Sequence, residues 1–188
     1  MSALKRSSWR TAALFAVLVV LLIVAVTTPA FRHTPRRAAS PQQLVGRPAP
    51  SINLPLHGGG TFGLASERGK VVVLDFWATW CVTCIKSMPA VREITAAYAA
   101  RGVKLVTVNV DDTPARVTAF QSGHNIGAPI VLADETDVAA AYGAWSIPTI
   151  AVINAEGVVT FAAAMTAEDV GQQLPAAIES ALAKPPEP

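Results

Sequence analysis

Cysteine is nearly absent from this chain of 188 residues: there are two, Cys81 and Cys84. Two thiols cannot build the multi-bridge framework on which small secreted scaffolds depend. Histidine is equally scarce. His33, His57 and His124 are scattered and no second cysteine pair exists, so a four-ligand zinc site lacks its ligands. Ile85, not histidine, follows Cys84, which excludes covalent haem attachment. Charged residues make up only 15% against 52% hydrophobic, which excludes intrinsic disorder as the overall class. Acidic residues are missing from the first 50 positions, which hold seven basic ones; the remainder holds eight basic and thirteen acidic, a net −5. An acidic body repels phosphate, so no nucleic-acid partner is expected. No internal repeat is present.

What is abundant is apolar sequence. Ala12 to Val26 is an unbroken apolar run, preceded by Lys5, Arg6 and Arg10. It lies between the length of a signal-peptide core and that of a spanning helix. Small residues suited to cleavage are poorly placed after it, so an uncleaved membrane anchor is the favoured reading and a cleaved signal the alternative. Lipid attachment is excluded because no cysteine follows the run. Arg32, Arg36 and Arg37 on its far side nearly balance the basic residues before it, so charge alone does not set orientation. The expected organisation is a basic tail (1–10), an anchor or signal (11–28), a Pro-rich linker (29–50), one folded domain (51–183) and a Pro-rich tail (184–188).

Within the domain, short segments around the glycines 58–60 suggest a β-hairpin at entry. Val71–Phe76 and Val103–Val110 read as buried strands, almost wholly apolar because both faces are covered. Residues 82–101 read as a helix interrupted by Pro89. Thr113 and Pro114 cap and open a second helix to about Ser122, and a third is expected near 136–142. Strands at 149–153 and 158–163 follow, then a helix from Thr166 to about Ala183 that opens on a capping box closed by Asp169. Strands alternating with helices, then a terminal hairpin and helix, predict an α/β fold with a mixed central sheet flanked by helices.

Both cysteines lie in Trp80-Cys81-Val82-Thr83-Cys84, between a buried strand and a helix start. Positions i and i+3 at a helix start bring two sulfurs within bonding reach. The free N–H groups and the dipole there favour an anion, which lowers a thiol's pKa. Cys81 is therefore the expected attacking thiolate and Cys84, one turn deeper, the resolving thiol. A purely structural disulfide across so short a loop stabilises little. A Cu(I)-handling dithiol, helped by Met88, is the alternative chemistry.

The run Val73-Leu74-Asp75-Phe76-Trp77-Ala78-Thr79-Trp80-Cys81-Val82-Thr83-Cys84, with Pro89 after it and Ser146-Ile147-Pro148-Thr149 far downstream, resembles the thioredoxin superfamily. Gly46-Arg47-Pro48-Ala49-Pro50 before Ile52-Asn53-Leu54, and Gly69-Lys70 before the strand, narrow the resemblance to exported TlpA/ResA-like thiol–disulfide oxidoreductases. It spans roughly residues 46–183. It implies a thioredoxin fold, a cis-proline at Pro148 beside the dithiol, and Ile147 offering its backbone to an extended substrate. It also implies that Asp75 is a buried acid accepting the proton of Cys84. Trp77 and Trp80 flank the site; the resemblance implies Trp80 on the recognition surface, and core packing is the alternative for both.

Three positions depart from the pattern. Thr83 stands where proline commonly precedes the second cysteine. Thr107 replaces a lysine that pairs with the buried acid, and Ser87 replaces a glutamate near the dithiol. Val82 and Thr83 supply no cation, which points to a reductase rather than a disulfide-introducing oxidase. The expectation is a membrane-tethered extracytoplasmic enzyme acting as a monomer. No metal and no cofactor beyond the redox-active cysteine pair are expected. Its partners would be client proteins with disulfides or dithiols, of the cytochrome c maturation or copper-site assembly kind, and a membrane thiol-reductant carrier.

Overall fold

The computed structural model describes residues 40–133 and 136–183. The apolar run at 12–26 and the tail at 184–188 lie outside the described residues. Among those described, no helix is long and apolar enough to cross a membrane.

Among the described residues there are seven strands and four α-helices. A two-stranded hairpin pairs β1 (Asn53–Pro55) with β2 (Thr61–Gly63). The main sheet contains β3 (Val71–Trp77), β4 (Val103–Asn109), β5 (Ile130–Leu132), β6 (Thr149–Ile153) and β7 (Val159–Ala164), in the order β5-β4-β3-β6-β7. Strands β3, β4 and β5 are parallel, while β6 and β7 run antiparallel to their neighbours. The helices are α1 (Val82–Ala97), α2 (Pro114–Gln121), α3 (Val138–Ala141) and α4 (Ala167–Leu182). The mixed five-stranded sheet, its flanking helices and the entry hairpin agree with the predicted architecture.

The central strand β3 is buried along its whole length, and its alternation divides the core. Val72, Leu74 and Phe76 face a cluster with Ile52, Phe62, Leu64 and Tyr142. Val71 and Val73 face Val91 of α1 and Val170, Leu174 and Ile178 of α4. Trp77, at the C-terminal end of the strand, joins a third cluster with Cys81, Cys84, Met88, Val117 and Ile130. The apolar run is thus what a strand covered on both faces requires. After β7, at the same end of the sheet, Thr166 and Asp169 form the expected capping box: Asp169 Oδ2 accepts from the Thr166 N–H at 2.8 Å.

Three expectations need correction. The strand β5 was not anticipated, because Ile130-Val131-Leu132 is too short for a period to show and follows Pro129. It forms because the edge of β4 offers it a parallel ladder. The Pro-rich segment ahead of residue 51 is not all spacer. Pro41–Leu44 is a 3-10 turn that buries Pro41 and Leu44. Gly46 N–H donates to Val159 O at 2.8 Å, Val159 N–H to Arg47 O at 2.9 Å, and Ala49 N–H to Gly157 O at 2.9 Å. These bonds cover the start of β7, an otherwise open sheet edge. Prolines without N–H groups suit such a covering strap as well as they suit a linker. Finally, α1 runs through Pro89 without breaking but stops at Ala97. Tyr98 caps it, a 3-10 turn spans Ala99–Arg101, and Gly102 leaves with φ 84°.

Candidate active site

Sequence places Cys81 at a helix start, and the structure makes it the N-cap of α1. Its Sγ accepts a hydrogen bond from the Cys84 N–H at 3.1 Å. The Thr83 hydroxyl lies 3.4 Å from the same sulfur. A side chain that accepts from the first-turn amides is the capping arrangement, and here the acceptor is sulfur. A thiolate in that place is stabilised by the same N–H and by the helix dipole. Cys81 and Cys84 are joined as a disulfide, with their Cα atoms 5.2 Å apart. Cys81 keeps 4% of its surface exposed and Cys84 1%, so Cys81 is the less deeply buried of the pair. Ser87, one turn on, is buried and donates to Cys84 O at 3.0 Å; it offers the dithiol no carboxylate.

The Ile147–Pro148 peptide is cis. Ile147 packs against the cluster that holds both cysteines, which brings the loop before β6 to the dithiol. Thr149 Oγ1 donates to Ser146 O at 2.6 Å and ties off this loop. The two segments that sequence singled out, far apart in the chain, therefore meet at one end of the sheet.

Asp75 lies on β3 between Val73 and Trp77 and shares their face. Helix α1 covers that face through Val91 and Met88, and Met88 is one turn beyond Cys84. The carboxyl thus sits beneath the stretch of α1 that follows the dithiol. Its strand neighbours are Thr107 and Ile150, neither charged. The Thr107 hydroxyl is turned to Pro129 O. Asp75 Oδ1 has no hydrogen-bond partner among the described residues. Burial without a compensating cation pushes its pKa from 3.8 up to about 7. A carboxyl so poised exchanges protons near neutral pH.

A helix-capping sulfur joined to a partner one turn in, a cis-proline loop against them and a buried acid behind them can be set beside known proteins. Residues 45–162 match the model of the AhpC/TSA family. The chain is 36% identical over 132 residues to the thiol–disulfide oxidoreductase ResA of Geobacillus thermodenitrificans, covering 69% of this chain and 76% of that one. It is 34% identical over 112 residues to ResA of Bacillus subtilis, covering 60% and 63% respectively. The Chlorobium tepidum protein solved under the name thiol:disulfide interchange protein DsbE superposes with a TM-score of 0.67 at 29% identity, over 72% of this chain and 96% of that one. The chain belongs to the AhpC/TSA family. It is a thioredoxin-like thiol–disulfide oxidoreductase of the ResA/DsbE type, and its redox centre is the Cys81–Cys84 disulfide.

The structure of this oxidoreductase separates its two neighbouring tryptophans. Trp77 is fully buried and packs on Phe120 with ring centroids 5.2 Å apart, so it belongs to the core. Trp80 is 53% exposed beside Cys81. Sequence reasoning passed over the residues that hold the loop between them. Asp112, buried at the end of β4, accepts from the Thr79 N–H and the Thr79 hydroxyl, both at 2.6 Å. It also accepts from Asn109 Nδ2 at 2.9 Å. Asp111 accepts from Trp80 Nε1 at 3.0 Å. Two adjacent acids thus clamp the two residues that precede the nucleophile. The signal was available: paired acids follow a buried strand, and parallel strands gather site residues at their C-terminal ends. Among the described residues, no group of three or more His, Cys, Asp or Glu side chains is placed to hold a metal ion. His57 lies near the Thr118 hydroxyl and His124 stacks on Phe120, away from each other's chemistry.

Proposed function

We propose that this oxidoreductase is a membrane-tethered, extracytoplasmic reductase of client-protein disulfides. In its reduced form the Cys81 thiolate attacks a client disulfide. The client S–S bond breaks, a Cys81–client mixed disulfide forms, and the departing client sulfur takes up a proton. Cys84 passes its proton to Asp75 and attacks Cys81 Sγ. The mixed disulfide breaks, the second client sulfur leaves and is protonated, and the Cys81–Cys84 disulfide is restored. Two electrons pass from protein to client. Ile147, before the cis-proline, presents its backbone to the client chain, and Trp80 contacts it.

The observation that carries the direction is that no cation separates the cysteines and that, among the described residues, the strand neighbours of Asp75 are uncharged. A dithiol is strongly oxidising when its reduced form is unusually stabilised. Here Val82 and Thr83 separate the cysteines, and Thr107 faces the buried acid. The helix start and the neutral Thr83 hydroxyl stabilise the thiolate, without a full positive charge. That supports a potential nearer the roughly −270 mV of thioredoxin than the roughly −120 mV of strong oxidants. Clients of the cytochrome c maturation or copper-assembly kind, and a membrane thiol carrier that recharges the dithiol, complete the reading. The apolar run at 12–26 supports the tether. The test is a redox titration of the full chain in detergent against dithiothreitol or glutathione buffers. A midpoint below roughly −200 mV supports a reductase, and one above roughly −150 mV makes the protein an oxidase. In the same preparation Cys84→Ser should accumulate a Cys81–client adduct visible by intact mass.

A further inference from the structure

Exposed cations gather at the end of the sheet opposite the dithiol. Arg68 and Lys70 lead into β3, and Arg101 leads into β4. Backbone bonds draw the neighbouring loops to the same place: Gly69 N–H donates to Ala155 O at 3.0 Å, and Val71 N–H to Gly102 O at 3.1 Å. The strap arrives there too, because Arg47 O accepts from Val159 N–H at the start of β7. The Arg68 guanidinium lies across Gly157, so closely that a Cβ on that glycine would overlap it. Glu67 holds Lys70 and Lys104, and Glu179 holds Arg101 at 2.6 Å. Among the described residues neither Arg47 nor Arg68 forms an ion pair. Val45, two residues before Arg47 in the strap, is 48% exposed.

The dithiol end carries the opposite sign. Asp111 and Asp112 follow β4, Asp137 precedes α3, and Glu168 and Asp169 lie in the first turn of α4. Among the described residues, the bases near them are Lys86 and Arg116. A domain that is basic at one end and acidic at the other takes a preferred orientation in the field of a charged surface.

We propose that the basic end, through Val45, Arg47, Arg68 and Lys70, rests on the anionic headgroups of the bilayer and holds the dithiol away from it. Cations beside an exposed apolar side chain have the chemistry of a lipid-interface contact: the cations meet phosphates and the apolar group enters the acyl boundary. The aliphatic stems of Arg47, Arg68 and Lys70 let their charged heads stay at headgroup level. The strap follows the apolar run at 12–26 in sequence, so a tether made by that run keeps the lipid surface at high effective concentration for a contact that is weak by itself. The seven residues of β3 then set the dithiol end roughly 20 Å beyond the docked end. Clients, and the thiol carrier that recharges the protein, meet Cys81 in water rather than among headgroups. The inference rests on the membrane-tethered reading and adds to it the orientation of the domain.

The experiment acylates the lysines of the full chain, reconstituted in vesicles, with a membrane-impermeant reagent and reads initial rates by peptide mass spectrometry. Lys70 and Lys86 are both exposed and report on opposite ends of one molecule. Their rate ratio is the readout, so reagent concentration cancels. The vesicles are phosphatidylcholine alone, or two parts phosphatidylcholine to one part phosphatidylglycerol. The Lys70:Lys86 ratio should be about fivefold lower in the anionic vesicles and should recover in salt of about 1 M, where the screening length is about 3 Å. Arg47→Glu combined with Arg68→Glu should abolish the fall, and Val45→Ser should lessen it. Arg47→Glu alone should also lessen it, and it leaves the contact of Arg68 with Gly157 in place should the double variant misfold. Each variant should exchange with 2-hydroxyethyl disulfide at the wild-type rate, which checks its fold. A ratio equal in the two kinds of vesicle, a fall that survives the double substitution, or protection of Lys86 instead overturns the proposal. Release of the chain from vesicles by alkaline carbonate overturns the tether and the proposal with it, whereas retention with an unmoved ratio overturns the docking alone.

Discussion

Consider Asp75→Asn in the oxidised protein, where the disulfide stays closed throughout. In the folded chain the carboxyl is buried with no cation beside it, and its pKa is raised from 3.8 to about 7. Below about pH 4 the carboxyl is protonated in both the folded and the unfolded chain and has no effect on their balance. Between about 4 and 7 the unfolded chain releases the proton and the folded chain keeps it. Unfolding then becomes easier by about 1.4 kcal/mol for each pH unit. Above about 7 both states are ionised and the loss stops. The total over the window is about 4 kcal/mol, a large share of the roughly 5–15 kcal/mol that holds a domain together. Asparagine cannot ionise, so its variant should not show this slope. Urea unfolding from pH 4 to pH 9 measures it, and the quantity to plot is variant stability minus wild-type stability. That difference cancels Glu67, whose pKa the Lys104 and Lys70 ammonium groups hold below the usual range against the opposing effect of burial. The difference should rise by about 4 kcal/mol between pH 4 and pH 7 and then level. A flat difference would show that the Asp75 carboxyl is not desolvated in the folded chain. On the proposed mechanism the same substitution should also slow resolution of the Cys81–client adduct, because Cys84 would lose its proton acceptor.

Two further outcomes follow from the hydrogen bonds. Asp112→Ala removes the acceptor for two Thr79 donors and Asn109 Nδ2; leaving these unmet beside a buried carboxylate site should cost about 3 kcal/mol in urea unfolding at pH 7. Thr166→Ala removes the cap of α4, whose hydroxyl accepts from the Asp169 N–H at 3.3 Å, and should cost about 1 kcal/mol, read as a lowered midpoint of thermal unfolding with disulfide exchange unaffected.

The glutamate that buries itself near the start of β3 shows how charge is managed elsewhere in the domain. Glu67 takes hydrogen bonds from Lys70 at 3.1 Å and from Lys104, so its ionised form is compensated. Asp75 has no such partner. The contrast between these two acids supports the proposed role of Asp75 as proton acceptor, since an uncompensated buried carboxyl destabilises the fold.

Local chemistry was enough to recognise much of this protein. The pairing of Cys81 with Cys84, their place at a helix start, the burial of β3 and the capping box at Thr166 all follow from spacing within a few residues. Spacing of that kind is set by the helix repeat and by strand alternation, which act along the chain. The meeting of Pro148 with the dithiol and the burial of Asp75 had to be taken from resemblance, because they join segments dozens of residues apart. Other features belonged to tertiary structure alone. Ile130–Leu132 is a strand because β4 has an edge to offer. Residues 46–49 are a strap because β7 has another. Trp77 and Trp80 part ways because one sits at the end of a covered strand and the other on the turn beyond it. Asp111 and Asp112 became clamps only when parallel pairing set the ends of β3 and β4 side by side. Such partners are chosen by which surfaces remain uncovered once the chain has collapsed, and no window of sequence contains both halves of that choice.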